Sequence, residues 1–268
     1  NPVYIVDSIR TPRARANKKG GLNKLNPYEL LDFLYKDIEQ KKFLQLSSID
    51  EVILGCVTQY GEQAGNIAKS SALFSGYPDS ISGLTVNRFC SSSLDAINLG
   101  YLKVQSQQAD NVLAGGVEMM SRVPMLSDDA AIWNDINIAG QAKIFFMGSG
   151  ADLIASLFKM SRDDVDRQAL KSQENALNAQ KNNYFKSIIP VINKSKSINC
   201  IHDECIRPNT TFESLASLDP SFKQLGEQGV DQVQLNLFPD LKEILHVHTA
   251  GNSPAMADAA SMTLLSNK

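Results

Sequence analysis

The chain has 268 residues, enough to bury one large core or two smaller ones. Its 26 basic and 29 acidic residues leave a formal charge of -3 with no basic block, so no nucleic-acid partner is expected. No apolar run approaches the roughly 20 residues of a membrane span, no signal peptide is visible at Asn1-Pro2-Val3-Tyr4, and four cysteines in this length make no disulfide framework, which together predict a cytoplasmic protein.

Val3 to Val6 reads as a short apolar strand ended by Asp7-Ser8-Ile9-Arg10-Thr11-Pro12, and Arg13 to Asn26 as a basic, irregular segment. A helix is predicted from about Pro27, whose ring suits a first turn, through Leu30, Leu31, Leu34 and Ile38. Val52-Ile53-Leu54 is a second buried strand, and Asn66 to Phe74 reads as helical with Gly76-Tyr77-Pro78 as its stop. The apolar run of Leu84 and Val86 then breaks off at Cys90. A helical pattern follows in Leu94, Ile97, Tyr101 and Leu102, and Val112-Leu113-Ala114-Gly115-Gly116 completes a strand–helix–strand unit. Strands alternating with helices predict an α/β fold with a mixed, mainly parallel sheet between helices.

After Pro124 the texture changes. Met125 to Ile144 has weak periodicity, as an insertion would, and Ser161-Arg162-Asp163-Asp164 caps a long helix with Val165, Ala169, Ala176 and Leu177 on its apolar face. Asn182 to Asp240 carries short elements and prolines. The alternation of Leu245, Val247 and Thr249 reads as a strand returning to the sheet, followed by a Gly-Asn turn and an Ala-rich segment from Ala255 to Leu265.

Cys90 is the residue with most chemical promise. A thiol where a strand gives way to a helix faces the positive end of the helix dipole and unpaired backbone N–H groups, which favour the nucleophilic thiolate. Set against this, a lone cysteine more often serves as a small buried hydrophobe. Cys200, His202 and Cys205 supply three soft ligands, but no second pair stands at zinc-site spacing. No metal is expected there, and the segment reads as surface leading into Arg207-Pro208. His246 and His248 share one face of the predicted strand and read as structural.

Six strings in order carry a family resemblance. They are Ile5 to Pro12; Val52 to Gln59 with Gly61, Glu62 and Asn66; Val86 to Ile97; Gly115-Gly116-Val117-Glu118-Met119-Met120-Ser121-Arg122-Val123-Pro124; Arg207 to Leu215; and Thr249-Ala250-Gly251-Asn252-Ser253. Together they resemble the thiolases, the acyl-CoA C-acyltransferases. The resemblance implies a thiolase-like N-terminal α/β domain, residues 1–121 and 245–268, carrying an inserted α-rich CoA-binding loop domain, residues 122–244.

It also implies acyl transfer between CoA thioesters through a covalent acyl-Cys90 intermediate. The backbone N–H of Cys90 would serve an oxyanion hole, and coenzyme A would be substrate or product, with no other cofactor. By similarity CoA is contacted by Arg207, Ser214, Phe222, Ala250 and Gly251, and Met147 lies beside the acyl pocket. Read from the residues alone, Arg207 and Ser214 are equally an ordinary solvated loop, and Phe222 local core. The family's habit implies a dimer or tetramer.

Departures narrow these expectations. Ser93 stands where the family has glycine and is expected to crowd the loop. Pro254 stands where a serine bonds the pantetheine arm, Ala259 replaces a glycine, and Phe146 occupies a position where biosynthetic members often have histidine. The Gly-His-Pro and Cys-Gly-Gly motifs, which supply the base and the proton-transferring cysteine, are not in this sequence. The chain therefore reads as the N-terminal half plus loop domain, with the C-terminal thiolase half absent. The alternative is a non-catalytic acyl-CoA-binding or interaction protein that retains the fold. A condensing-only relative of the ketoacyl synthase type is opposed by the Gly115–Arg122 string and the long loop.

Overall fold

A computed structural model describes residues 2–43 and 45–268. The chain forms two compact units.

The first unit comprises Asn1–Asp128, Phe185–Cys205 and Met256–Lys268. Its sheet contains β1 (Tyr4–Arg10), β2 (Ala14–Arg15), β3 (Glu51–Gly55), β4 (Ser82–Val86), β5 (Asn111–Met119) and the C-terminal strand Ala257–Ser266. The order is β1, the C-terminal strand, β5, β3, β4, with β2 pairing to the C-terminal strand. β3 pairs parallel with β4 and β5, whereas the C-terminal strand is antiparallel to both β5 and β1. Four of the five long strands thus run one way, and the sheet is mixed and mainly parallel.

Two differences from the expected elements have plain causes. β1 does not stop at Val6 but runs to Arg10, past a register shift between Ile5 and Asp7. As an edge strand it needs only one partner, and its polar Ser8 hydrogen-bonds Thr263 across the ladder at 3.0 Å. The returning strand is the Ala-rich segment from Ala257, not the alternating run of Leu245, Val247 and Thr249, which lies in no strand. Small side chains suit a strand flanked on both sides by β1 and β5.

Helices α1 (Pro27–Gln40) and α2 (Ile67–Phe74) cover one face, and α3 (Ser92–Gln105) the other. α1 starts at Asn26, whose side chain accepts from Glu29 N while the Glu29 carboxylate accepts from Asn26 N. It buries Leu30, Leu31, Leu34, Tyr35 and Ile38, as the spacing predicts. α3 packs by its small residues rather than its bulky ones. Ser92, Ala96, Gly100 and Val104 face the sheet, while Leu94, Tyr101 and Leu102 are exposed at 59%, 42% and 54%. Small residues at i, i+4 spacing bring the helix close to the strands, and the bulky apolar stripe is left outward.

The hairpin of β6 (Val191–Asn193) and β7 (Ile198–Cys200) adds Val191, Ile198 and Cys200 to the core under α1. The segment after it is not plain surface. Asp203 is fully buried, takes a two-pronged hydrogen bond from Arg10 at 2.8 and 2.9 Å, and accepts from Arg13 N at 2.8 Å. Burial alone would raise the Asp203 pKa, but the Arg10 hydrogen bonds and the nearby guanidinium charges hold it below the usual carboxylate value. A depressed folded pKa gives stability that is present above the unfolded value and lost as pH falls through the folded one. Asp203→Asn is therefore expected to cost about 2 kcal/mol near neutrality and little at pH low enough to protonate the native carboxyl. Urea midpoints at the two pH values check this; equal losses at both would contradict it.

The second unit comprises Asp129–Tyr184 and Ile206–Ala255. It is built from α4 (Ala131–Asn134), α5 (Ile136–Ala142), α6 (Met147–Leu157), α7 (Arg162–Lys181), α8 (Phe212–Ala216), α9 (Lys223–Leu225) and α10 (Asp231–Leu237). The C-terminal strand of the first unit is β8 in chain order. The Ser161 capping box with Asp164 starts α7 as expected. Its fully buried residue, however, is Asp166, and the predicted apolar positions are only half-buried. No helix among the described residues is long and apolar enough to cross a membrane.

Candidate active site

In the first unit, β4 and α3 are joined by Asn87 to Ser91, the turn that carries Cys90. Side chains hold its shape. Asn87 donates to Val57 O at 3.1 Å and accepts from Phe89 N at 2.8 Å. The Ser92 hydroxyl accepts from Arg88 N at 2.8 Å and donates to Phe89 O at 2.6 Å. Arg88 also pairs with Asp95 one turn into the helix. Phe89 is forced to φ 47°, a left-handed conformation costly for a bulky L residue. The sharp turn lifts Cys90 into solvent just ahead of the first turn of α3.

The other three cysteines contrast with it. Cys56 and Cys200 are buried and Cys205 is half-buried. Burial, reinforced by the Glu118 charge, pushes the Cys56 thiol up to about 12. Burial with the Glu204 and Asp203 charges pushes Cys200 to about 12, and burial raises Cys205. All three are held as thiols at neutral pH, and of the four cysteines Cys90 is the exposed one.

Beneath the turn, Gly55 at the end of β3 and Gly116 within β5 are glycines because the first turn of α3 lies directly on them. A Cβ on Gly55 would sit 2.5 Å from the Ser93 amide nitrogen. One on Gly116 would collide with Ser93 Oγ and come within 2.6 Å of Gly55 O. Ser93 therefore does not crowd the turn as expected: its hydroxyl fills the space that Gly116 leaves. The Gly115–Arg122 string has a structural reason at each polar position. Glu118 accepts from Val57 N at 2.9 Å and from Gln63 at 2.7 Å, Ser121 binds buried Asp258 through N at 2.9 Å and Oγ at 2.5 Å, and Arg122 pairs with Glu62. Burial raises the Asp258 pKa despite these hydrogen bonds.

The remaining candidates lie in the second unit and form one neighbourhood. Arg207 donates to Gly251 O at 2.9 Å. Gly251 is buried where a Cβ would meet Leu215 and Leu218 at 2.6 Å, and Ala250 beside it is exposed. Ser214 precedes Leu215 in α8. Its hydroxyl is occupied in the helix cap, donating to Thr211 O at 2.8 Å and accepting from Thr211 N at 3.0 Å. The Phe222 ring packs on Gly148, and Met147 next to it is exposed at the start of α6. Pro254 is exposed.

Sequence reasoning missed two buried carboxylates that hold this neighbourhood. Asp152 of α6 is fully buried and accepts from His246 Nδ1 at 3.0 Å, His248 Nδ1 at 2.7 Å, and Val247 N and His248 N at 3.1 Å each. Asp166 of α7 binds Arg162 at 2.8 Å and Asn252 at 2.7 Å. Asp166 falls inside the helix predicted after Ser161, which is the signal for it; no predicted element covers Asp152. Among the described residues, no group of three or more His, Cys, Asp or Glu stands arranged to hold a metal ion. Cys200 Sγ instead donates weakly to His202 O at 4.0 Å, and Cys205 Sγ to Arg13 O at 3.8 Å.

Comparison with known proteins places this geometry. The family model described as "Thiolase, N-terminal domain" matches residues 3–229. A beta-ketoadipyl-CoA thiolase of Pseudomonas knackmussii is 37% identical over 238 residues, covering 81% of this chain and 59% of the relative. A 3-oxoadipyl-CoA/3-oxo-5,6-dehydrosuberyl-CoA thiolase of Escherichia coli strain K12 is 32% identical over 286 residues, covering 99% and 66%. Among solved structures, the crystal structure of the Bacillus anthracis acetyl-CoA acetyltransferase superposes with a TM-score of 0.77 at 27% identity, covering 98% of this chain and 65% of that one. The chain thus spans 59% to 66% of the length of these proteins. On the family match, the ordered motifs and the fold, the chain belongs to the thiolase family.

Proposed function

We propose that this chain carries the nucleophile and the CoA-contacting segment of a thiolase, and that Cys90 forms a thioester with the acyl group in transit. The observation that carries this reading is the presentation of Cys90: one exposed thiol on a left-handed turn ahead of a helix, over two glycines that let the helix seat closely.

In the degradative direction, the Cys90 thiolate adds to the C3 carbonyl of a 3-ketoacyl-CoA. The C2–C3 bond breaks, its electron pair leaves as the enolate of acetyl-CoA, and that carbon takes a proton. The acyl group stays on Sγ until a CoA thiolate attacks the thioester and Sγ departs. Condensation is the reverse. The Cys90 backbone N–H is assigned to the oxyanion of each tetrahedral intermediate. Coenzyme A enters as substrate and product, with Arg207, Ser214, Phe222, Ala250, Gly251 and Met147 as its contacts, and no further cofactor is required. The proton at the acetyl carbon needs an acid/base for which this sequence has no matching motif, so full turnover is assigned to the chain together with a thiolase C-terminal half.

The test is acylation. Incubated with acetyl-CoA, the chain should gain one acetyl mass that maps to Cys90, and adding a C-terminal half with Gly-His-Pro and Cys-Gly-Gly should yield thiolysis of a 3-ketoacyl-CoA. Measurable CoA binding with no adduct in either mixture would instead support a non-catalytic acyl-CoA-binding protein, the reading that Pro254 favours.

The outward stripe of α3 bears on partners. Leu94, Tyr101 and Leu102 are bulky and exposed at helical spacing, and Phe89 in the preceding turn is exposed as well. We expect this face to be covered in a homo-oligomer or by the thiolase C-terminal half. The chain by itself is then expected to associate, and Leu102→Glu to shift its sedimentation toward the monomer. A wild-type chain that sediments as a monodisperse monomer at tens of micromolar would contradict this.

A further inference from the structure

The segment from Leu245 to Asn252 runs through the second unit without a strand partner, so its backbone groups are satisfied by side chains. Leu245 N donates to Ser156 Oγ at 2.7 Å, and Val247 N and His248 N both donate to Asp152 Oδ1 at 3.1 Å. Asn252 closes the far end, accepting from Thr249 N at 2.8 Å and donating to Val247 O at 3.1 Å and to Asp166 at 2.7 Å. Ser221 N, next to Phe222, donates to His248 O at 2.9 Å. Asp152, together with Ser156, Asn252 and Ser221 N, therefore sets the path of the chain into Ala250 and Gly251.

That carboxylate is itself tied into a chain of charged groups. Asp152 Oδ2 meets His246 Nδ1 at 3.0 Å, and His246 Nε2 meets Asp231 Oδ2 of α10, also at 3.0 Å. His248 Nδ1 lies 2.7 Å from Asp152 Oδ1. The other charged pair bonded to this segment is Arg162–Asp166 of α7, which reaches it through Asn252. A neutral imidazole has one N–H and one lone pair. Between two carboxylates it can satisfy only one and turns its lone pair on the other. The bridge is complete only when His246 carries both protons.

We propose that Asp152 and His246 are positioning residues for the CoA-contacting segment, and that the His246 bridge to Asp231 couples CoA capture to pH, with tight binding when the ring is protonated. The Asp152 carboxylate fits this role: burial would raise its pKa, but the hydrogen bonds from His248, His246 and the backbone hold it below the ordinary value, so it stays charged throughout the histidine range. The link to CoA rests on the reading of Ala250 and Gly251 as CoA contacts.

The test compares wild type with Asp231→Asn, using free coenzyme A in calorimetry and hydrogen exchange of the 245–252 segment, from about pH 5.5 to 8.5, the span in which imidazoles titrate. In the variant the carboxamide can donate to the neutral ring's Nε2 while Nδ1–H still serves Asp152, so loss of the proton no longer breaks the bridge. Wild-type Kd should rise about tenfold across this span as the competent population falls, and the Val247 and His248 amides should lose protection beyond the intrinsic pH effect. Asp231→Asn should be flat in both, within about twofold. Ionisation of coenzyme A itself is common to both proteins and cancels. Equal slopes in wild type and variant would overturn the proposal. If the exchange difference appears but neither protein binds CoA, the positioning role stands and the CoA reading of this segment falls.

Discussion

Cys90→Ser is expected to abolish acyl capture. Incubated with acetyl-CoA, from which the acyl group passes by thioester exchange alone, wild type should accumulate a single adduct, and the variant should form it at least about 10³-fold more slowly, because a serine hydroxyl is almost wholly protonated near pH 7 whereas a thiol ionises within reach of it. The other three cysteines are not expected to substitute. Cys56 and Cys200 are buried with their thiols pushed to about 12, and Cys205 is half-buried and raised. Cys205→Ser should therefore leave the adduct yield within about twofold. The measurement is intact mass followed by peptide mapping, with the circular-dichroism spectrum checking that the variant folds. An adduct of equal yield in Cys90→Ser would remove Cys90 from the mechanism, whatever the family.

The site was legible in the sequence to the extent that it depends on local rules. Cys90 between a strand and a helix, Pro27 in a first turn, Ser161 as a cap, and Gly76 as a stop are all decided within a few residues of themselves. What was not legible depends on partners far along the chain. The Leu245–Thr249 alternation has the period of a strand, yet its N–H groups go to Asp152, almost a hundred residues earlier, and a pattern of period two carries no information on which acceptor is present. α3 is the same case in reverse. Leu94, Ile97, Tyr101 and Leu102 have helical spacing, but the buried face is the one with Ala96 and Gly100, where Gly100 leaves room for Leu265, Val112 and Ala114 of the sheet. Amphipathic spacing identifies a helix; it does not say which of two faces meets the sheet.

The same contrast between backbone and side-chain neighbours yields the sharpest prediction for the fold around Cys90. Gly55→Ala would place a methyl group 2.5 Å from the Ser93 nitrogen and closer still to the Ser92 carbonyl carbon, both backbone atoms in the first turn of α3. Neither can swing aside, so the helix must move off β3 and carry the Cys90 turn with it. We expect a loss of about 3 kcal/mol or more, at or above the upper end for overpacking, with acylation of Cys90 reduced even in the fraction that remains folded. Gly100→Ala is the informative control. It also adds a methyl between α3 and the sheet, but the nearest atoms are the tips of Leu265 at 2.8 Å and Val112 at 3.1 Å, which can rotate. Alanine in a helix interior also recovers about 1 kcal/mol over glycine, so the net cost should stay below about 1 kcal/mol. Urea midpoints for the two variants should therefore separate widely, and adduct formation should follow the same order. If Gly100→Ala proved as damaging as Gly55→Ala, the idea that α3 is seated through its first turn would be wrong, and the geometry of Cys90 would have to be attributed to the loop hydrogen bonds of Asn87 and Ser92 alone.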